Sequence, residues 1–292
     1  MKESVNNVTI EGILSEINLE EGSYVKNGNS VPRISGSVTI KVDDNEIPVH
    51  VFVGKYKNDG NENPAYTSIK DLKDNFKSIA AAGIDNADAV RITNAKISMN
   101  EFPRRDGSGI ISYPRIRGTF INKIKKNEMK PKARFEVEFM VANMIDEVNK
   151  DGEETGRLQL KGIISQYGGM VDVVPFFVEN AAAIDAIRAN WEENSTVKAT
   201  GKLNFSSKVE TILDKSGFGE PVERTKVTNI SDLVITGGTP EPYDEDFAFD
   251  VEEISKALAE RKARLEEMKE NFGKKTSAPK KAAPKMNIDL GF

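Results

Sequence analysis

Apolar and polar residues alternate along most of this chain. Ile34, Val38, Ile40 and Val42 are interleaved with Ser35, Ser37, Thr39 and Lys41. After the turn Asp43-Asp44-Asn45-Glu46, the alternation resumes at Ile47, Val49, Val51 and Val53. Successive side chains of a strand point to opposite faces, so a period of two predicts a hairpin with one apolar and one polar face. A first strand, opened by residues 8–11, precedes it. The period then changes: Ile69, Leu72, Phe76 and Ile79 fall at threes and fours, which predicts one helix over residues 68–83 ended by Gly83. Strands are predicted next at residues 88–102 and 113–124.

The same order recurs in the second half. Strands are predicted at 134–144 and 158–167, with Gly168-Gly169 as a two-residue hairpin turn and 171–178 as the partner strand. A helix over 181–194 follows, then strands at 195–205 and 225–235. Three strands, one helix and two strands therefore occur twice. Five strands with a helix between the third and fourth is the order of the OB fold, a small Greek-key barrel. A pair of β-sandwich modules would also alternate, but the helix takes the same slot in both copies. The expected fold is mainly β, with two tandem OB-like barrels at residues 1–130 and 131–240. Residues 241–292 carry an acidic aromatic stretch, a helix, a linker and a tip.

In that last region Val251, Ile254, Leu258, Leu265, Met268 and Phe272 form a helical stripe interrupted by Arg261, and Asp250 with Glu253 predicts a capping box. The stripe suits either a coiled coil with a second chain or packing on the chain's own second barrel. Trp191 is expected in the core.

Composition narrows the chemistry. There is no Cys, which excludes disulfides and thiolate chemistry, and His50 is the single His. Neither a Walker loop nor a G-x-G-x-x-G is present. No enzymatic activity, cofactor or metal site is expected. No apolar run approaches the roughly 20 residues that span a bilayer, and MKESVNNVTI lacks the apolar core of a signal peptide. A cytoplasmic location, away from membranes, is the expectation.

The formal net charge is −5, yet the cations are concentrated. Residues 103–134 hold ten Lys or Arg against two acids, Asp106 and Glu128. OB barrels bind oligonucleotides on the second and third strands, flanked by the one-two and four-five loops. The predicted four-five loop of the first copy holds Arg104, Arg105, Tyr113 and Arg115. The strand after it adds Arg117, Phe120, Lys123, Lys125 and Lys126. Guanidinium and ammonium groups neutralise phosphates, while aromatic rings stack on unpaired bases. Phe52, pointing outward on the third strand beside Lys41, is a further candidate platform. His50 is given no role, and the second barrel, with its acidic one-two loop, is expected to be secondary. Tyr167 at the hairpin, Lys161, Lys198, Lys202 and Phe205 are candidate contributors there, outranked by an ordinary surface or core role.

The last residues add a separate signal. After the Lys-, Ala- and Pro-rich linker at 274–285 come Asp289, Leu290, Gly291 and Phe292. Two OB-like barrels, a basic aromatic loop, a linker and this tip together resemble the single-stranded DNA-binding proteins of bacteria and their phages. In that family an acidic, hydrophobic C-terminal tip, usually several Asp followed by Ile-Pro-Phe, docks on other replication and recombination proteins. Here there is one Asp, with Gly where Pro is usual. Two barrels in one chain imply a phage-type relative working in the host cytoplasm. The resemblance implies that the chain protects single-stranded DNA and recruits partners through Asp289–Phe292. The alternative is a β-barrel assembly protein with a helical oligomerisation tail. Oligomeric state and the choice between DNA and RNA stay open.

Overall fold

A computed structural model describes residues 1–26, 28–214 and 222–272. Its first five strands are β1 (Asn6–Lys26), β2 (Asn29–Val42), β3 (Asn45–Gly54), β4 (Ala89–Pro103) and β5 (Ile110–Arg117). Between β3 and β4 lie α1 (Pro64–Asn75) and α2 (Ile79–Ala82). β1 pairs with both β2 and β4, β3 runs parallel to β5, and β4 pairs with β5. The circuit β1-β2-β3-β5-β4 therefore closes on itself with one parallel pair, which is the OB topology.

The second circuit repeats it. β7 (Lys132–Val148), β8 (Glu154–Ser165), β9 (Val171–Val178), α3 (Ala181–Asn190), β10 (Thr196–Asp214) and β11 (Val222–Gly238) follow a short β6 (Asn122–Ile124). β7 pairs with β8 and β10, β9 runs parallel to β11, and β10 pairs with β11. The circuits are joined edge to edge, with Asn6 to Glu11 of β1 pairing with Val137 to Lys132 of β7. One contiguous apolar cluster runs through both barrels.

The inward rows read off the alternation are the core: Ile34, Val38, Ile40, Ile47 and Val49 have no exposed surface. In the second barrel Phe139 and Phe176 stack with centroids 4.9 Å apart. Strand β8 crosses this pair at Gly162, where a Cβ would stand 2.6 Å from the Phe139 ring. Trp191 is buried, as expected, and donates from Nε1 to the Thr239 carbonyl at 3.1 Å.

Several local expectations change. The helix predicted over 68–83 is two helices. The first begins earlier, where Asn63 accepts from the Ala65 N–H and Pro64 occupies the first turn; the second starts at Ser78, whose hydroxyl accepts from Ala81 N. Gly83, at φ +76°, ends the second. The helix predicted over 181–194 stops at Asn190, because Trp191 turns to extended backbone and enters the core. Gly168-Gly169 is not a two-residue turn. Ser165 pairs with Val171, leaving a five-residue loop in which Tyr167–Gly169 form a 3-10 turn and both glycines take φ +78°.

The predicted strand 113–124 also breaks. β5 ends at Arg117, and β6 pairs with the opposite end of β4. Most of the predicted four-five loop is strand, leaving residues 104–109 as its tip.

The last described helix, α4 (Val251–Asn271), is capped by Asp250, which accepts from Glu252 N and Glu253 N. Only half of the capping box forms, since the Glu253 carboxylate sits 3.1 Å from the Met1 amino group. Ile254 and Ala257 pack with Phe249 on Met140, Ile163 and Val171 of the chain's own second barrel. Arg261, the residue that interrupts the stripe, pairs with Glu101 of β4 in the first barrel. α4 therefore straddles both barrels.

Candidate nucleic-acid interface

With Ile47, Val49, Val51 and Val53 inward, His50 and Phe52 project from the outer face of β3. The parallel pairing of β3 with β5 sets His50 opposite Arg117, and the pairing of β5 with β4 sets Arg117 opposite Lys96 and Arg115 opposite Ser98. Three strands distant in sequence thus place His50, Arg117 and Lys96 in one row. Above them is a cavity of about 640 Å³, lined also by Phe52, Arg115 and Phe120. The far wall comes from the second barrel, through Tyr167, Met170 and Asp172, and from Arg264 of α4.

Lys96 pairs with Glu3 at 2.8 Å, whereas Arg115 meets neutral partners. Arg115 is half-buried and donates from Nε to Ser98 Oγ at 3.3 Å and from Nη1 to Asn100 Oδ1 at 3.0 Å. Asn100 in turn donates to Tyr113 Oη at 2.6 Å. Burial, with Arg117 beside it, pushes the Arg115 pKa down. Burial and these two arginines also lower the pKa of His50, leaving a neutral imidazole at pH 7. Asp172 accepts from Met99 N at 3.2 Å and from Gln166 Nε2 at 3.1 Å. Burial raises its pKa, against the pull of Met99 N, Arg261 and Arg264. A half-buried Arg115 with the exposed Arg117, beside exposed aromatic rings, suits anionic, ring-bearing ligands.

The predicted site residues divide. Phe52, Arg115, Arg117 and Phe120 come together at the cavity. Tyr113 lies next to it on β5, edge-on to Phe102 at 6.1 Å between centroids. Arg104 and Arg105 stand on the exposed tip of the β4–β5 loop.

Lys123, Lys125 and Lys126 lie at the opposite end of β4, where Ala89 pairs with Ile124. Their charges are engaged there. Lys123 pairs with Asp88, Lys125 pairs with Glu128, and Lys126 donates to the carbonyls of Ile84 and Asp85. The expected single basic surface is thus two surfaces.

Lys41 is not beside Phe52. Phe52 pairs with Ser35 and Lys41 with Glu46, which separates them by roughly 20 Å along the hairpin. The residue over the Phe52 ring is Arg33, with Tyr24 edge-on to it. Asp289, Leu290, Gly291 and Phe292 lie outside the described residues.

Sequence reasoning passes over Arg33, Lys96 and Arg264, and ranks Tyr167 only as a secondary contributor from the second barrel. For Tyr167 a signal existed, an aromatic next to Gly-Gly in a hairpin; for Arg264 there was none. Among the described residues, no group of three or more His, Asp or Glu is placed to hold a metal ion. No described helix is long and apolar enough to cross a membrane.

A sequence profile described as YorF matches residues 4–271. The chain belongs to the YorF family. A search of curated proteins finds no match to it. Among solved structures, this YorF-family chain is similar to a deletion mutant of the single-stranded DNA-binding protein from Thermus aquaticus. That likeness has 9% identity and a TM-score of 0.46, covering 86% of this chain and 100% of that one. The wild-type Thermus aquaticus protein gives 8% identity and a TM-score of 0.48 over 83% and 95% of the two chains. A replication protein A heterotrimer bound to single-stranded DNA gives 11% identity and a TM-score of 0.25 over 78% and 49%. The OB assignment of the YorF-family chain rests on its strand order and closure.

Proposed function

We propose that this protein binds single-stranded DNA, without enzymatic turnover, in the groove that the first barrel presents to the second. The observation that carries the reading is the convergence of Arg115 and Arg117 with Phe52 and Phe120 on one cavity of an OB barrel. Arginines there neutralise phosphates, and rings offer faces to bases that have left a duplex. Residues 1–130 act as the main binding unit, 131–240 support it, and 241–292 carry the helix, linker and tip. Arg104, Arg105 and Tyr113 extend the path along the β4–β5 hairpin; Lys123, Lys125 and Lys126 serve as a peripheral electrostatic surface.

The reading extends to protection of single strands during replication or recombination, in a phage-type setting in the cytoplasm. Asp289, Leu290, Gly291 and Phe292 would recruit partner proteins: an apolar ring suits a pocket, and the Asp suits a basic rim.

Fluorescence anisotropy with poly(dT), duplex DNA and RNA at several salt concentrations tests the binding. The expected result is tight binding of poly(dT), weak binding of duplex, and a log-log salt slope near −0.7 per phosphate contacted. Absence of salt-sensitive binding to poly(dT) rejects the reading. Deleting residues 286–292 is expected to leave poly(dT) affinity unchanged while abolishing capture of replication or recombination proteins.

A further inference from the structure

The first barrel's groove is not built by the first barrel alone. The β8–β9 loop of the second barrel forms one wall, and its most prominent side chain is Tyr167, 81% exposed. An aromatic so exposed adds little to folding, since its face stays in water. The loop that carries it, by contrast, is held on both sides. Gln166 N donates to Met170 O at 2.8 Å, closing the turn. Gln166 Nε2 donates to the Ile97 carbonyl of β4 at 3.2 Å, and Met99 N of the same strand donates to Asp172 at 3.2 Å. Just before the loop, Ser4 N donates to Ser165 O at 3.0 Å and Ser165 N donates to Ser4 Oγ at 2.9 Å. Arg264 Nη1 lies 3.4 Å from Met170 Sδ and braces the outer side.

A tyrosine on a turn so anchored is positioned before any ligand arrives, and little ordering entropy is lost when something stacks on it. Around the same cavity Phe52 is 46% exposed and Phe120 48%, with Arg115 and Arg117 between the barrels. The geometry points to Tyr167 as a base-stacking platform that the second barrel supplies to the first barrel's groove, making one composite site for an unpaired strand. This deepens the single-strand reading and rests on it. A base inside a duplex has both faces occupied by its neighbours, so a ring offered at this place selects against paired strands. The second barrel is then part of the recognition surface rather than an accessory.

The test uses the full chain and oligo(dT) carrying 5-iodouracil, with Tyr167→Ala and Tyr167→Phe variants. Wild type is expected to photocrosslink at Tyr167. Tyr167→Ala is expected to lose about 5- to 150-fold in oligo(dT) affinity, as for loss of one stacked base. Tyr167→Phe should stay near wild type, and duplex affinity should not change in either variant. Thermal unfolding followed through buried Trp191 is expected to coincide for all three proteins.

If wild type binds oligo(dT) but Tyr167→Ala stays within twofold of it, or crosslinks appear only on first-barrel residues, this inference is overturned and the single-strand reading stands. If wild type does not bind oligo(dT), the single-strand reading itself falls, and the inference with it.

Discussion

The guanidinium of Arg33 lies 5.3 Å from the centroid of the Phe52 ring, and the edge of Tyr24 meets the same ring with centroids 5.4 Å apart. Phe52 is thus braced by its neighbours while keeping 46% of its surface exposed to the groove. Phe52→Ala is expected to weaken poly(dT) binding by about 1–3 kcal/mol, the usual range for one stacked base. Because the ring is not core, the melting temperature should shift little. Anisotropy titration beside a thermal melt checks both halves, and an unchanged Kd would remove Phe52 from the site.

The separation of the basic cluster into two surfaces can be read from salt dependence. Arg115→Ala with Arg117→Ala is expected to make the log-log slope shallower by about 1.4, two phosphates at 0.7 each. Lys123→Ala, Lys125→Ala and Lys126→Ala together should change it by less than one such contact, since those charges already face Asp88, Glu128 and carbonyls. A triple variant that flattens the slope as much as the arginine pair would place the strand along the opposite end of β4.

Glu11 makes acid stability a specific expectation. Its carboxylate is buried, takes two hydrogen bonds from Arg91 at 2.9 and 3.1 Å, and accepts the Lys130 N–H. The Arg91 hydrogen bonds lead in lowering its pKa from 4.5 to about 2, against the cost of burial. A depressed folded-state pKa means that the unfolded chain binds the proton more readily. The stabilisation is complete above pH 4.5 and disappears as pH falls towards 2. At neutral pH it amounts to at most about 3 kcal/mol, reduced by solvent around the partly exposed Arg91. The difference in melting temperature between wild type and Glu11→Gln should be largest near pH 7 and close between pH 4.5 and 2. A gap independent of pH would mean that the carboxylate's charge contributes nothing.

The apolar face of α4 is covered by its own chain, which sets an expectation for mass and stability together. Ile254 is 1% exposed among Met140, Ile163 and Val171. Ile254→Ala should cost about 2–4 kcal/mol, through lost burial and the cavity left behind. Light scattering of Ile254→Ala and wild type should give equal masses. A lower mass for the variant would show that α4 joins two chains instead.

The period-two pattern located most of the strands, their inward rows and the repeated order from which two barrels follow, although the strand expected over 113–124 divides into β5 and β6. Alternation is imposed locally, by one side chain in water and the next in the core, so it is written where it acts. Trp191 and the Asp250 cap were legible for the same reason. The break between α1 and α2 was not. The helical stripe continues through Phe76, while Ser78 starts a new helix by capping it, and the stripe does not record a cap in its own interior.

The site lay further from reach. Charge density along residues 103–134 marked a binding region, and Arg115, Arg117, Phe52 and Phe120 do converge. Density along a chain counts cations without their partners. Folding brought Asp88 to Lys123 and left Arg115 among neutral acceptors.

By itself the sequence determined which residues turn inward, where barrel order repeats and which stretch is basic, because those properties depend on neighbours within a few positions. Tertiary structure alone decided that His50 sits beside Arg117 and that Tyr167 and Arg264 close the groove. Each of those pairs is joined by strand register or by the contact between barrels. Such contacts depend on the closure of whole sheets, and no short window of residues encodes it.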